Sequence, residues 1–147
     1  MGKRVLIVGG VAGGASCAAR LRRLDEAAEI VVFDRGPYAS FANCGLPYFV
    51  GDVISDQKKL VVASSDLFRE RFNIEIRTRH EVLAIDRARR TIRVRDLEAG
   101  TESDEAYDAL VLSPGAAPIR PPLPGIDLPG IFAVRTIPDS VRIRTWI

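Results

Sequence analysis

Two hydrophobic periods alternate along the chain. The run "RVLIVGG" is short, β-branched and closed by glycine, the pattern of a strand buried on both faces of a parallel sheet. From Ala12 to about Leu24, "AGGASCAARLRRL" changes to helical spacing, with arginine gathered at its C-terminal end where the helix dipole favours cations. "EIVVFD" is a second buried strand. Strand, glycine turn, helix and strand follow one another closely, which predicts a βαβ unit with a right-handed crossover. A helix is expected around Ser65–Arg71. "IEIRT", "EVLAID" and "TIRVRD" then alternate apolar and polar positions as half-exposed strands do, with "RARR" as a polar turn between the last two. "DALVLS" returns to the buried-strand pattern. "PIRPPLPGIDLPG" carries five prolines in 13 residues and must be an extended crossing. "PDSVRIRTWI" opens a final helix. An end in mid-helix, just past that crossing, predicts the N-terminal part of a longer protein.

Composition narrows the partners. Apolar residues make up 47% and charged residues 27% of 147 residues, the balance of a soluble globular domain. A net charge of +2 gives no footprint for nucleic acid or an anionic membrane surface. No apolar run reaches the roughly 20 residues of a membrane span, and none at the N-terminus is long enough for a signal peptide. Two cysteines make no disulfide framework, so a reducing, cytoplasmic setting is expected. No metal site is expected.

The candidate chemistry begins at "GGVAGG", Gly9 to Gly14. A dinucleotide fingerprint places glycine first, third and sixth; Gly9 and Gly14 fit, while Val11 holds the middle place between Gly10 and Gly13. The context supports it: the turn follows a strand, opens a helix, and Asp34 ends the next strand 20 residues after Gly14. Amides at the helix start can receive a pyrophosphate, and Asp34 can accept ribose hydroxyls. An acidic residue suits the free 2′-hydroxyl of both NAD and FAD, while Arg35 beside it leaves a 2′-phosphate open. The fingerprint alone does not choose the dinucleotide, and a binding module without redox chemistry stays open.

Four blocks, "VLIVGGVAGGASCAARLRRL", "VVFDRGPYASFANCGLPYFVGDVI", "RFNIEIRTRHEVLAID" and "YDALVLSPGAAPIRPPLPGID", together resemble the N-terminal part of the FAD-dependent pyridine nucleotide–disulfide reductases. Within that family the resemblance is to the coenzyme A-disulfide reductase branch, some of whose members are fused to a rhodanese domain. It implies an α/β, Rossmann-like FAD-binding domain with a parallel sheet and an inserted three-stranded antiparallel β-meander, for which the three alternating strands are the candidates. It also implies that residues 1–147 are the first part of that domain. The NAD(P)H-binding and dimerisation domains would lie elsewhere in a homodimeric protein, and this piece alone would be inactive.

The resemblance implies residue roles. Gly9, Ala12, Gly13, Gly14, Asp34 and Arg35 would lie on the ADP half of FAD, Val82 on the adenine through its backbone, and Ser113, Pro114 and Gly115 on a second flavin-contacting turn. Ser16, Arg20 and Arg23 follow i, i+4, i+7 on one helix face; alone such a line is a solvated face, but these positions match those that hold the nucleotide and phosphates of coenzyme A. Ser40 and Asn43 would hold its pantetheine end. Many disulfide reductases of the superfamily carry Cys-x-x-x-x-Cys, yet Ala39 and Phe49 stand five residues either side of Cys44. Cys44 thus has no local partner, and the resemblance implies that it pairs with coenzyme A as a mixed disulfide, electrons passing from NAD(P)H through FAD to that bond. Its place before a short "GLPYF" helical turn, with Pro47 in the first turn, favours the thiolate. An NAD(P)H oxidase or polysulfide reductase on the same fold is the nearer alternative. The oxidases and peroxidases of the family carry a histidine in the glycine turn, where this chain has Val11 and Ala12. Cys17 shares a helical stripe with Leu21 and Leu24 and should face the core. His80, the single histidine, is read as structural.

Overall fold

The computed structural model describes residues 2–147. In chain order the elements are β1 (Arg4–Val8), α1 (Ala12–Leu24), β2 (Glu29–Asp34), a 3-10 turn (Asn43–Gly45), α2 (Leu46–Val50), a second 3-10 turn (Gln57–Leu60), α3 (Ser65–Phe72), β3 (Glu75–Thr78), β4 (His80–Asp86), β5 (Thr91–Asp96), β6 (Glu102–Ala106), β7 (Ala109–Leu112) and α4 (Ile137–Trp146). They divide into two compact units. One takes the chain up to Phe41 and again from Ala63 to Pro114; the other comprises Ala42–Val62 and Gly115–Ile147.

The first unit is built on a parallel sheet of order β3-β2-β1-β7, with a separate antiparallel sheet of order β4-β5-β6. Side chains alternate across β1 and β2, so each strand feeds two cores. Val5, Ile7, Ile30 and Val32 pack with Ala15 and Ala18 of α1 and with Phe68 and Ile74. Leu6, Val31 and Phe33 pack on the other face with Ile92 and Val94 of the antiparallel sheet. Arg22 ties the ends of two helices together: its guanidinium donates to the carbonyls of Phe72 (2.9 Å) and Asn73 (2.8 Å), the last residue of α3 and its C-cap. Ser64 caps the start of α3 by accepting from the Leu67 N–H, and Asn73 closes it in the left-handed region.

Glu105 of β6 joins the two sheets. Its oxygens accept from Arg4 Nη2 (2.7 Å) on β1 and Arg77 Nη1 (2.6 Å) on β3. Those arginines also pair with Glu29 and Glu75, and the Arg77 guanidinium lies 5.3 Å from the centre of the Phe33 ring.

The structure revises the strand reading in three places. "IEIRT" contributes β3, an edge strand parallel to β2, and does not enter the meander. The third meander strand is β6, "ESDEA", whose polar sequence gives no hydrophobic signal because it is largely exposed and faces Arg89, Arg93 and Arg95 on the neighbouring hairpin. "DALVLS" forms β7, which occupies the sheet edge among the described residues, with Leu112 58% exposed.

The second unit is smaller. Leu46 and Phe49 of α2 and Ile137, Ser140 and Ile143 of α4 are buried. Pro47 sits in the first turn of α2, as its fixed φ favours. Thr136 and Asp139 form a reciprocal capping box at the start of α4.

Candidate functional site

The glycine turn is shaped by close backbone approaches. Gly9 has φ +95°, and a Cβ there would overlap the Ser113 carbonyl; a Cβ at Gly14 would overlap the Gly9 carbonyl. At Gly13 a Cβ would overlap Ser113 Oγ, so the turn after β1 and the turn after β7 lie side by side. The Ser113 N–H donates to Val8 O (2.8 Å), which fixes that neighbour. Val11 is the N-cap of α1 and offers no side-chain acceptor, and the first turn, opened by Ala12, contains no acidic residue. The first amides of α1 are thus without a side-chain cap and face no negative charge of their own helix. That arrangement suits an anion.

Asp34 organises the same corner. Its Oδ2 accepts from the Gly10 N–H (2.7 Å) and its Oδ1 from the Gly36 N–H (2.8 Å). Each oxygen keeps a further lone pair for a hydroxyl donor. Gly36 is the residue the sequence reading missed; the Asp-x-Gly spacing of "DRG" is the signal for such a turn. Arg35 is exposed and stands 4.0 Å from Glu81, while the Arg79 N–H donates to Gly36 O, so the start of β4 lies by the end of β2. Val82 is on that strand, partly buried against the Phe33 core, where the β4–β5 register shifts between Val82 and Ala84.

Ser16, Arg20 and Arg23 are all exposed on α1. Among the described residues neither Arg20 nor Arg23 has an ion-pair partner; Arg22 between them has none either, but its guanidinium is held by backbone carbonyls. Cys17 is half-buried against the core with Leu21, but Leu24 is 68% exposed, so the apolar stripe ends one turn earlier than its spacing suggests. Ser40 adopts φ +45° and its N–H donates to Gly10 O (2.9 Å), which holds this loop to the glycine turn. His80 Nδ1 lies 2.8 Å from Thr78 O and its Nε2 3.9 Å from Asp96, at the start of β4.

In the second unit Asn43 and Cys44 are exposed on the 3-10 turn that leads into α2. Both cysteines are free. Gly45, buried directly after Cys44, faces Leu60 and Ile54. Pro114 is exposed at the end of the first unit; Gly115, in the second, has φ +72° and lies against the Arg135 guanidinium. No described helix is long and apolar enough to cross a membrane.

A parallel sheet that presents an uncapped glycine turn, and a chain that also carries a free, exposed cysteine, together define a class that comparison with known proteins identifies: the chain belongs to the pyridine nucleotide-disulphide oxidoreductase family, whose model matches residues 3–145. It is 39% identical to the coenzyme A disulfide reductase of Staphylococcus haemolyticus (strain JCSC1435), over 99% of this chain and 32% of that protein. Among solved structures it is similar to reduced Bacillus anthracis CoADR-RHD, with a TM-score of 0.97 and 47% identity over 100% of this chain and 27% of that one. It is also similar to a NAD-dependent persulfide reductase from A. fulgidus, with a TM-score of 0.89 and 34% identity over 95% of this chain and 27% of that one. The chain therefore spans about a third of the length of the curated relatives it matches.

Proposed function

We propose that this chain is the N-terminal part of the FAD-binding domain of an NAD(P)H-dependent oxidoreductase that reduces coenzyme A disulfide, with Cys44 as its single redox-active sulfur. The observation that carries the reading is Cys44 itself: free, exposed and set on a turn before α2, in a chain whose relatives include coenzyme A disulfide reductases. NAD(P)H-binding and dimerisation domains belong to the remainder of the whole protein.

The residues fit FAD. Gly13 and Gly14 let the turn close against Ser113 and Gly9 beside uncapped amides that can receive its pyrophosphate, Asp34 keeps lone pairs for ribose hydroxyls, and Val82 and the Ser113–Gly115 turn offer backbone groups. When bound, FAD supplies two electrons taken as hydride from NAD(P)H. The substrate positions are Ser16, Arg20, Arg23, Ser40 and Asn43. Arg20 and Arg23, unpaired among the described residues, carry guanidiniums suited to the phosphates of coenzyme A. Cys44 Sγ, as thiolate, attacks one sulfur of the disulfide; the new Cys44–S bond forms as the S–S bond breaks and one coenzyme A thiolate leaves. Two electrons and a proton delivered to the mixed disulfide release the second coenzyme A and restore Cys44.

Similarity to a persulfide reductase favours a second reading, in which the acceptor is a small persulfide handled by the same sulfur. Turnover of the full-length protein with coenzyme A disulfide, a persulfide and oxygen separates the two readings and the oxidase alternative. In that protein Cys44→Ser should abolish disulfide reduction while FAD stays bound and reducible by NAD(P)H. Full disulfide turnover by Cys44→Ser would refute the assignment.

A further inference from the structure

We infer that Arg144, on the last helix, is a positioning residue for the Cys44 turn; the inference rests on Cys44 being the reactive sulfur. Among the described residues, every polar and ring contact of the Arg144 guanidinium falls on the segment that follows Cys44. Nη2 pairs with the Asp52 carboxylate, Nη1 donates to the carbonyls of Ser55 (3.2 Å) and Ile54 (3.4 Å), and the group stacks 4.7 Å from the centre of the Phe49 ring. The neighbouring Arg142 instead pairs with Asp139 of its own helix and so does not share this work.

The grip reaches Cys44 through Gly45. Leu60 closes over that glycine so tightly that an added Cβ would stand 2.9 Å from its Cδ2, and Ile54 lies beside it at ordinary contact distance, 3.4 Å from the same Cβ. Leu60 O in turn accepts from the Ala42 N–H (2.8 Å), on the other side of the cysteine. Leu60 thus braces the Cys44 turn at both Ala42 and Gly45, Ile54 packs beside it, and Arg144 holds the Ile54 carbonyl. Asp52 has φ +60°, in the left-handed region that aspartate tolerates better than most residues, and its carboxylate is held there by Arg144. A planar guanidinium can address two carbonyls, a carboxylate and a ring face together; an ammonium cannot.

The test uses the full-length protein without NAD(P)H. Site-resolved mass spectrometry follows two reactions of Cys44: formation of its mixed disulfide with coenzyme A disulfide, which needs an oriented sulfur, and alkylation by iodoacetamide, which needs only exposure. Arg144→Ala should slow the disulfide reaction about fivefold or more and leave alkylation within about twofold, because misplacement penalises oriented attack selectively. Arg144→Lys keeps the charge for Asp52 but loses the fork and the stacking, so it should be slow as well; it carries the test if the alanine variant does not fold. Disulfide exchange within about twofold of wild type in either folded variant overturns the inference, as does a joint rise of both rates, the mark of local unfolding. Failure of the wild-type protein to form the mixed disulfide would instead refute the role of Cys44.

Discussion

Replacing Glu105 by glutamine tests the joint between the two sheets. Only 16% of the Glu105 side chain is exposed, and its two oxygens receive Arg4 and Arg77, whose own side chains are 26% and 28% exposed. Burial opposes the charge on Glu105, but hydrogen bonds from Arg4 and Arg77 and their positive charge outweigh it and hold the carboxyl below the usual glutamate range. Glutamine keeps one acceptor oxygen and turns an NH₂ group toward the other guanidinium. One charge-assisted bond of about 1.5–3 kcal/mol is lost, and the extremes of an exposed pair and a fully buried one bracket the outcome at about 2 kcal/mol near neutral pH. For a chain of this length that lowers the thermal midpoint by roughly 4–8 °C. The pH dependence has a definite sign. A carboxyl depressed by folding contributes fully above its unfolded pKa, and its contribution is lost as pH falls through the lower folded value. The gap between wild type and variant, followed by circular dichroism, should therefore be largest near about pH 7 and shrink by about pH 3. Asp96 is also held below its ordinary range, by the N–H groups of Ala99 and Glu98 and by His80, but it is common to both proteins and cancels in the difference. A gap under about 0.5 kcal/mol at neutral pH, or one that acid leaves unchanged, would refute the reasoning.

Other substitutions probe the proposed site. Gly14→Ala forces a methyl group into the Gly9 carbonyl; it should cost about 3 kcal/mol or more in chemical denaturation and deprive the full-length protein of its yellow cofactor. Arg23→Ala should raise the KM for coenzyme A disulfide about tenfold while the rate of flavin reduction by NAD(P)H holds, and an unchanged KM would return this helix face to a solvated one. Cys17→Ala should cost about 1 kcal/mol and keep disulfide turnover, with thiol adducts found by mass spectrometry on Cys44 and not on Cys17.

How far the sequence could be read depended on whether burial or exposure decides a segment. β1, α1 and β2 are legible because both faces of the strands and the small-residue face of the helix are buried, so their periods stand out. Three of the five residues of β6 are acidic, and its pairing is decided by arginines on the adjacent hairpin, which no local window contains. β3 alternates like a meander strand because an edge position exposes alternate side chains in either sheet; only its parallel register with β2 assigns it. At the candidate site, Gly9, Gly14 and Asp34 were legible as a spacing. The hold of Gly36 on Asp34, and that of Arg144 on the segment after Cys44, join residues through a loop or across 92 positions, beyond the reach of periodicity.

The central place of β1 also governs how the chain can fold as it is made. β1 finds β2 within one short crossover, but its other neighbour is β7, and Arg4 meets Asp108 across 104 positions. At synthesis rates of 5–20 residues per second, β7 follows β1 out of the ribosome after roughly 5–20 s. During that interval one edge of this apolar strand stays unpaired, and closing it later costs the entropy of a long loop. The growing chain thus passes through a state with an open strand edge, which leaves the nascent first unit exposed to edge-to-edge pairing until β7 arrives.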